Sequence, residues 1–234
     1  MKILNFIPNF FTLVNLFVGC VAVVYGVMGD LKTLAILVSI GLICDFFDGF
    51  FARLFKVDSD IGVQLDSLSD LVTFGLTSSI VMMHLIENST FVIENSSVFY
   101  ANQIPVIAFL ITLASSYRLA KFNIGDKNLE FSGLPTPANA IFIVFLPFFI
   151  EKFELLILFK NIYFLIFIVL LSSYMLISNY PMMSLKLKNL NFNQNKILLI
   201  ILLISLTLLI IYGVASLPII IIIYILVNFI RLVF

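Results

Sequence analysis

The chain has 234 residues, 62% of them hydrophobic and 11% charged, with a mean hydropathy of +1.18. Its 13 basic and 13 acidic residues cancel. Apolar runs this long and this numerous exclude an ordinary soluble domain, and they indicate an all-α integral membrane protein, a polytopic helical bundle.

In chain order, residues 1–11 carry Phe6, Ile7, Phe10 and Phe11 around Pro8 and read as a short N-terminal interfacial segment. Eight transmembrane helices are then predicted, at roughly 12–28, 33–54, 61–86, 101–121, 137–150, 155–178, 196–212 and 214–231. The fifth is short. The last two are nearly pure Ile and Leu and read as lipid-facing scaffold. Residues 88–102 form a polar external loop, and 185–194 a basic, Asn-rich linker. No cleavable signal peptide, internal repeat or second domain is expected, so 1–234 is one membrane domain. Cys20 and Cys44 lie in apolar runs without metal-ligand spacing and read as packing residues.

Charge asymmetry predicts the orientation. With the N-terminus in the cytoplasm, Lys2, Arg53, Lys56, Arg118, Lys121, Lys127, Lys186, Lys188, Lys196 and Arg231 fall on the cytoplasmic side. Lys32, Lys152 and Lys160 fall opposite, a division of 10 against 3. The even number of spans returns the C-terminus to the cytoplasm. The protein is thus expected in the cell membrane, multi-pass, with both termini and the active site facing the cytoplasm. No nucleic-acid partner is expected.

Six of the eight aspartates lie between Asp45 and Asp70. Carboxylates near hydrocarbon are costly and mark a functional site by default. Asp45 and Asp48 are i,i+3 on one predicted helix, and Asp66 and Asp70 are i,i+4 on the next. Each pair therefore shares a face. If the two helices are antiparallel, the four carboxylates surround one small space. Bare, they would repel one another; two divalent cations, Mg²⁺ or Mn²⁺, would keep them ionised. Hard oxygen ligands without nearby His or Cys argue against zinc. Such a pair of metals suits a phosphoryl group undergoing displacement. Asp58 and Asp60 read as loop residues or the cap of the third helix. His84 lies far from the carboxylates and reads as an interfacial histidine.

Gly49, Ala52 and Gly62 remove bulk beside the carboxylates, either for close helix packing or to admit a flat base and its phosphates. Arg53 is either an interfacial cation or a phosphate ligand. The whole pattern, Asp45-x2-Asp48-Gly49-x2-Ala52-Arg53-x8-Gly62-x3-Asp66-x3-Asp70, resembles that of the CDP-alcohol phosphatidyltransferases at all its defining positions. That resemblance implies a membrane enzyme that moves a phosphatidyl group from a CDP-linked lipid to an alcohol and releases CMP. It implies a homodimer surrounded by membrane lipid, with residues 1–145 as catalytic core and 146–234 as additional transmembrane helices. It implies metal ligands at Asp45, Asp48, Asp66 and Asp70, with Asp70 also the general base. It places CDP-lipid contacts at Gly49, Ala52, Arg53 and Gly62.

Two further stretches bear on the acceptor. Pro8-Asn9-Phe10-Phe11-Thr12-x2-Asn15-x3-Gly19 either caps the first helix or lines the polar site. Arg118-Leu119-Ala120-Lys121-Phe122-Asn123, followed by Gly133-Leu134-Pro135-Thr136-Pro137-Ala138, is either a basic helix end with a turn or part of an acceptor pocket. Both resemble the serine-transferring branch of the same family. By that resemblance Asn9 and Thr12 join the CDP-lipid site, and Asn15, Arg118, Lys121 and Asn123 form the L-serine site. Arg118 would take the serine carboxylate. Glycerol 3-phosphate or inositol (or its phosphate) is the competing acceptor within the family. A cation transporter is the competing class.

Overall fold

The computed structural model describes residues 2–57, 59–124, 133–182 and 196–233, and every regular element in them is a helix. Asp58, Lys127, Lys186, Lys188 and the linker 185–194 lie outside the described residues. α1 (Lys2–Val27) and α2 (Leu31–Phe55) form an antiparallel pair. The N-terminal segment expected before the first span is continuous with it: α1 runs straight through Pro8. Asp30 opens α2, its carboxylate accepting from the Thr33 amide at 3.0 Å, as an N-cap residue should.

α2 ends at Lys56, whose φ of 54° lies in the left-handed region and whose N–H closes on Ala52 and Arg53. Three residues later Ser59 caps α3 (Asp60–Asp70), its Oγ accepting from the Gly62 amide at 3.0 Å. The cap is therefore Ser59, with Asp60 exposed in the first turn. This tight reversal turns the chain back so that α3 packs on α1 and Asp66 comes up to Asp45 and Asp48.

Directly after Asp70 the helix widens into a π turn, Leu71–Leu76, then tightens into α4 (Thr77–Glu87). The sequence explains the loosening. Hydroxyls of Thr77, Ser78 and Ser79 bond back to the carbonyls of Thr73, Phe74 and Gly75, competing with the backbone ladder. The Thr73 hydroxyl meanwhile donates across to the Asn15 carbonyl of α1 at 3.0 Å.

After α5 (Thr90–Glu94) comes a 3-10 helix, Ala101–Phe109, that leads into α6 (Leu110–Ile124). The expected fifth span is two short pieces, α7 (Thr136–Val144) and α8 (Leu146–Lys152). α9 (Leu156–Phe159) precedes α10 (Ile162–Ile177). At the end of the chain α11 (Lys196–Tyr212) and α12 (Leu217–Val233) flank a 3-10 turn at Gly213–Ser216. Gly213 has φ 59°, a conformation cheap only for glycine.

Five helical stretches are long and apolar enough to cross a membrane: Phe6–Val27, Leu31–Phe55, Asp60–Glu87, Ala101–Ile124 and Leu198–Arg231. The last has 34 residues, far beyond the ~20 that one crossing needs, and Gly213 divides it. α10 is apolar but shorter.

The core gathers Leu34 and Val38 of α2, Phe74 of the π turn, Val81 of α4, Ile111 of α6, Ile143 of α7 and Leu165 of α10. Small residues bring the helices together around the π turn. A Cβ on Gly19 would stand 2.2 Å from the Thr73 hydroxyl, and one on Gly41 would stand 2.5 Å from the Thr73 methyl.

Candidate active site

The packing of α1, α2 and α3 decides the site. One carboxylate oxygen from each of Asp45, Asp48 and Asp66 lies within 4.8 Å of the others. Opposed oxygen ligands on a divalent cation stand about 4–5 Å apart, so the spacing and the all-oxygen donor set fit such an ion. Buried polar atoms normally have partners. Oδ1 of Asp66 and Oδ1 of Asp70 have none within the protein, which also fits a cation site. Asp70, one turn beyond Asp66 and almost wholly buried, stands beside the triad and is not one of the three.

Thr12 reaches the triad from α1. Its hydroxyl lies 2.8 Å from Asp48 Oδ2 and 3.1 Å from the Pro8 carbonyl, and donates to one of them. The neighbouring Ser69 hydroxyl donates back to the Thr12 carbonyl at 3.1 Å. α1 is thus fastened to both aspartate-bearing helices at the level of the carboxylates.

An open cavity of about 120 Å³ adjoins the cluster. Asn9 and Thr12 line it from α1, Asp48, Gly49 and Ala52 from α2, and Gly62 and Asp66 from α3. Its wall also includes Pro8, part of the stretch expected to line the site, and Val57, Ser59 and Val63, which the sequence pattern did not single out; of these, Ser59 carries the signal of a helix N-cap. Gly62 has little spare room, since a Cβ there would stand 3.0 Å from Asn9 Oδ1. Gly49 is open, with only the Arg53 guanidinium near its Cβ direction, at 3.6 Å. Arg53 itself is exposed and stands outside the cavity lining.

The four residues expected to bind the acceptor are not gathered in one place. Arg118 lies close enough to Asp70 to interact electrostatically, yet no direct ion pair joins the two. Its Nη1 donates to the Thr136 hydroxyl at 3.2 Å, and its Nε is buried without a partner. Lys121 turns outward and donates to Asn179 at 2.6 Å. Asn123 pairs with Ser67 at 2.9 Å and Gln64 at 3.3 Å. Asn15 is fully buried, wedged against Gly41 beside Thr73, and stands outside the cavity lining. His84 sits 3.9 Å from Glu87, away from the carboxylates.

The Gly133–Pro135 turn is a tertiary fastening. The amides of Gly133 and Leu134 donate to the carbonyls of Tyr180 and Met175 at 2.8 and 2.9 Å. Gly133 takes φ 74°, and a side chain there would meet three carbonyls of the α10 terminus. This holds Thr136, and with it the Arg118 guanidinium, in place.

The profile of the family described as CDP-alcohol phosphatidyltransferase matches residues 5–176. The chain belongs to that family. Among relatives, it is 33% identical over 150 residues to the Bacillus subtilis protein named CDP-diacylglycerol–serine O-phosphatidyltransferase, covering 62% of this chain and 77% of that one. It is 30% identical over 179 residues to the Helicobacter pylori protein of the same name, covering 74% and 71%. It is 30% identical over 149 residues to the archaetidylserine synthase of Methanothermobacter thermautotrophicus, covering 61% and 58%. The aspartate cluster and the cavity beside it rest on α1–α3, wholly inside the matched segment.

Proposed function

We propose that the chain transfers the phosphatidyl group of a CDP-linked diacyl lipid, or the corresponding group of an ether-linked analogue, to the hydroxyl of L-serine, releasing CMP. The observation that carries this reading is that Asp70, beside the aspartate triad, and Arg118 lie within electrostatic reach of one another, each with a buried polar atom that the protein leaves unpartnered. A buried carboxylate and a partly free guanidinium, close but unpaired, suit a small acceptor with a hydroxyl at one end and a carboxylate at the other. Inositol offers no anionic group for that fork, and the phosphate of glycerol 3-phosphate, which the fork also fits, would call for a denser basic pocket than one guanidinium.

Asp45, Asp48 and Asp66, with Asp70 beside them, would hold the divalent ions. When bound, those ions would supply charge neutralisation of the pyrophosphate and of the departing CMP. The cavity seats the CDP moiety along Asn9, Gly49, Ala52 and Gly62, with Arg53 at its rim. Arg118 orients the serine. The serine oxygen attacks the lipid-linked phosphorus as Asp70 accepts the hydroxyl proton. The bond from that phosphorus to the bridging oxygen breaks, and CMP leaves with the oxygen. Each step is a direct displacement without a covalent enzyme intermediate. The excess of cytoplasmic Lys and Arg supports a site that opens to the cytoplasm.

The test is CMP release by purified protein given a CDP-lipid and Mn²⁺ or Mg²⁺, with L-serine, glycerol 3-phosphate or inositol as acceptor. Serine-dependent release that stops with chelator and returns with metal is the expected result. Release with another acceptor would overturn the serine reading while leaving the metal site standing. No release by folded protein with any acceptor would favour an ion-transport role.

A further inference from the structure

The position of Asp70 is set by its main chain. Its Oδ1 is buried and has no partner within the protein, so no hydrogen bond fixes that oxygen. Its neighbours in sequence are fixed instead. The Ser69 hydroxyl donates across to the Thr12 carbonyl of α1 at 3.1 Å, and the Thr73 hydroxyl donates to the Asn15 carbonyl of α1 at 3.0 Å. Thr12 and Asn15 are one turn apart on α1, and Ser69 and Thr73 lie on successive turns of the facing helix. The two bonds are therefore successive ties to α1, one on either side of Asp70 along the chain. Ser69, Thr73 and Asn15 are all fully buried.

These two hydroxyls behave unlike those that follow. Thr77, Ser78 and Ser79 bond back to carbonyls four residues earlier in their own helix, the local choice open to any Ser or Thr in a helix. Ser69 and Thr73 cross to α1 instead, where each carbonyl has a second lone pair to accept them. Thr73 has no room to swing away. A Cβ on Gly19 of α1 would lie 2.2 Å from its Oγ1, and one on Gly41 of α2 would lie 2.5 Å from its methyl, so the side chain is lodged against both helices. Thr73 also lies inside the π turn, where the Thr77 N–H reaches back to the Val72 carbonyl. Such turns are uncommon and concentrate at functional sites. Where the ladder slips in this way it no longer fixes the rotation of Asp70 against the residues beyond, and the ties to α1 supply that constraint.

We infer that Ser69 and Thr73 are positioning residues for Asp70, their two bonds to α1 setting the height and rotation of its carboxylate beside the triad of Asp45, Asp48 and Asp66. The same stretch of α1 carries Thr12, whose hydroxyl lies 2.8 Å from Asp48, so one helix holds the proton acceptor and a candidate metal ligand in a common register. This rests on the reading of Asp70 as proton acceptor, and it holds for any acceptor alcohol. Misplacing a reacting group by about 1 Å can cost roughly 100-fold in rate, so packing that suffices for folding does not suffice for turnover.

The experiment measures kcat for CMP release by the full chain at saturating CDP-lipid, Mn²⁺ and L-serine (or whichever of the three acceptors supports release). The variants are Ser69→Ala, Thr73→Val and Thr73→Ser, each alone and combined with Asp70→Asn. Thr73→Val keeps the shape and loses the hydroxyl, whereas Thr73→Ser keeps the hydroxyl. Ser69→Ala and Thr73→Val are expected to lower kcat about tenfold or more with both KM values near wild type, and Thr73→Ser to retain most of it. In the Asp70→Asn background the same substitutions should cost nothing further, because residues that act through one another are not additive. Ser172→Ala is the control for stability. It removes a buried hydroxyl that crosses from α10 to Asn139 of α7, two helices without an aspartate, and it should lower the melting temperature but not kcat. Wild-type kcat in both Ser69→Ala and Thr73→Val, with Asp70→Asn inactive, would overturn this inference alone. So would a loss of the same size in both Asp70 backgrounds, or an equal kcat loss in Ser172→Ala. Near-normal kcat in Asp70→Asn itself would overturn the proton-acceptor reading and this inference with it.

Discussion

The hydroxyl of Thr12 on α1 lies 2.8 Å from Oδ2 of Asp48 on α2, a contact between residues 36 positions apart. Thr12 also lines the cavity, but its nearest polar partner is a carboxylate of the triad. A hydroxyl bonded to a metal-ligating carboxylate fixes how that carboxylate is oriented, and losing such a partner costs roughly 10–100-fold in metal affinity. Thr12→Val keeps the shape and removes the donor. The Mn²⁺ concentration for half-maximal CMP release should rise about tenfold, while Thr12→Ser should stay near wild type. An unchanged metal requirement in the valine variant would count against the contact's importance.

Asp70 is assigned the proton of the acceptor hydroxyl. Its side chain is almost fully buried, with one oxygen unpartnered by the protein. Asp70→Asn is nearly isosteric, so turnover should fall by about 10²–10⁴ while CDP-lipid binding, followed by calorimetry, survives. Near-normal turnover would remove Asp70 from that role.

Two glycines of the first two helices should respond oppositely to alanine. At Gly19 the new Cβ would lie 2.2 Å from Thr73 Oγ1 and 2.9 Å from Thr73 Cα. Backbone cannot yield as a side chain can, so Gly19→Ala should destabilise by about 1–3 kcal/mol or more, seen as a lower melting temperature in detergent. At Gly49 the Cβ would meet only the end of the flexible Arg53 side chain, at 3.6 Å. Gly49→Ala should melt like wild type yet raise the CDP-lipid KM, because the methyl group enters the cavity. Equal melting losses in both would contradict the open geometry at Gly49.

Arg118→Ala should raise the serine KM by roughly 10–100-fold, the scale of a charge-assisted, two-pronged contact, with the CDP-lipid KM little changed. Lys121→Ala should alter neither by much, since its amine is turned toward Asn179. Matching changes in both KM values for Arg118→Ala would place the guanidinium on the nucleotide-lipid side of the site.

The aspartate cluster was legible in the sequence because helical periodicity is local. Positions i, i+3 and i+4 share a face whatever else the chain does, so Asp45 with Asp48 and Asp66 with Asp70 could be paired by counting. Membrane class was equally legible, since composition and run length carry it. Even the reversal between the two helices left a mark, in the short interval from Arg53 to Gly62, though the cap falls on Ser59 and not on Asp58 or Asp60. Helix lengths were less so: α7 and α8 divide one expected span, and α1 absorbs the segment expected to precede it.

Which groups of distant helices meet was decided only by the tertiary structure. Thr12 finds Asp48, Arg118 finds Thr136, Asn123 finds Ser67 and Lys121 turns to Asn179, because helix rotation follows from the summed packing of many side chains. The π turn after Asp70 is of the same kind. It combines local Ser and Thr hydroxyls, readable one by one, with the close approach of Gly19, Gly41 and Gly75 to neighbouring helices. Composition and helical spacing alone mark a cluster of acids in a membrane bundle. The tertiary structure decided which side chains surround it, because a contact across 36 or more residues depends on how whole helices seat against one another and not on the spacing along any one of them.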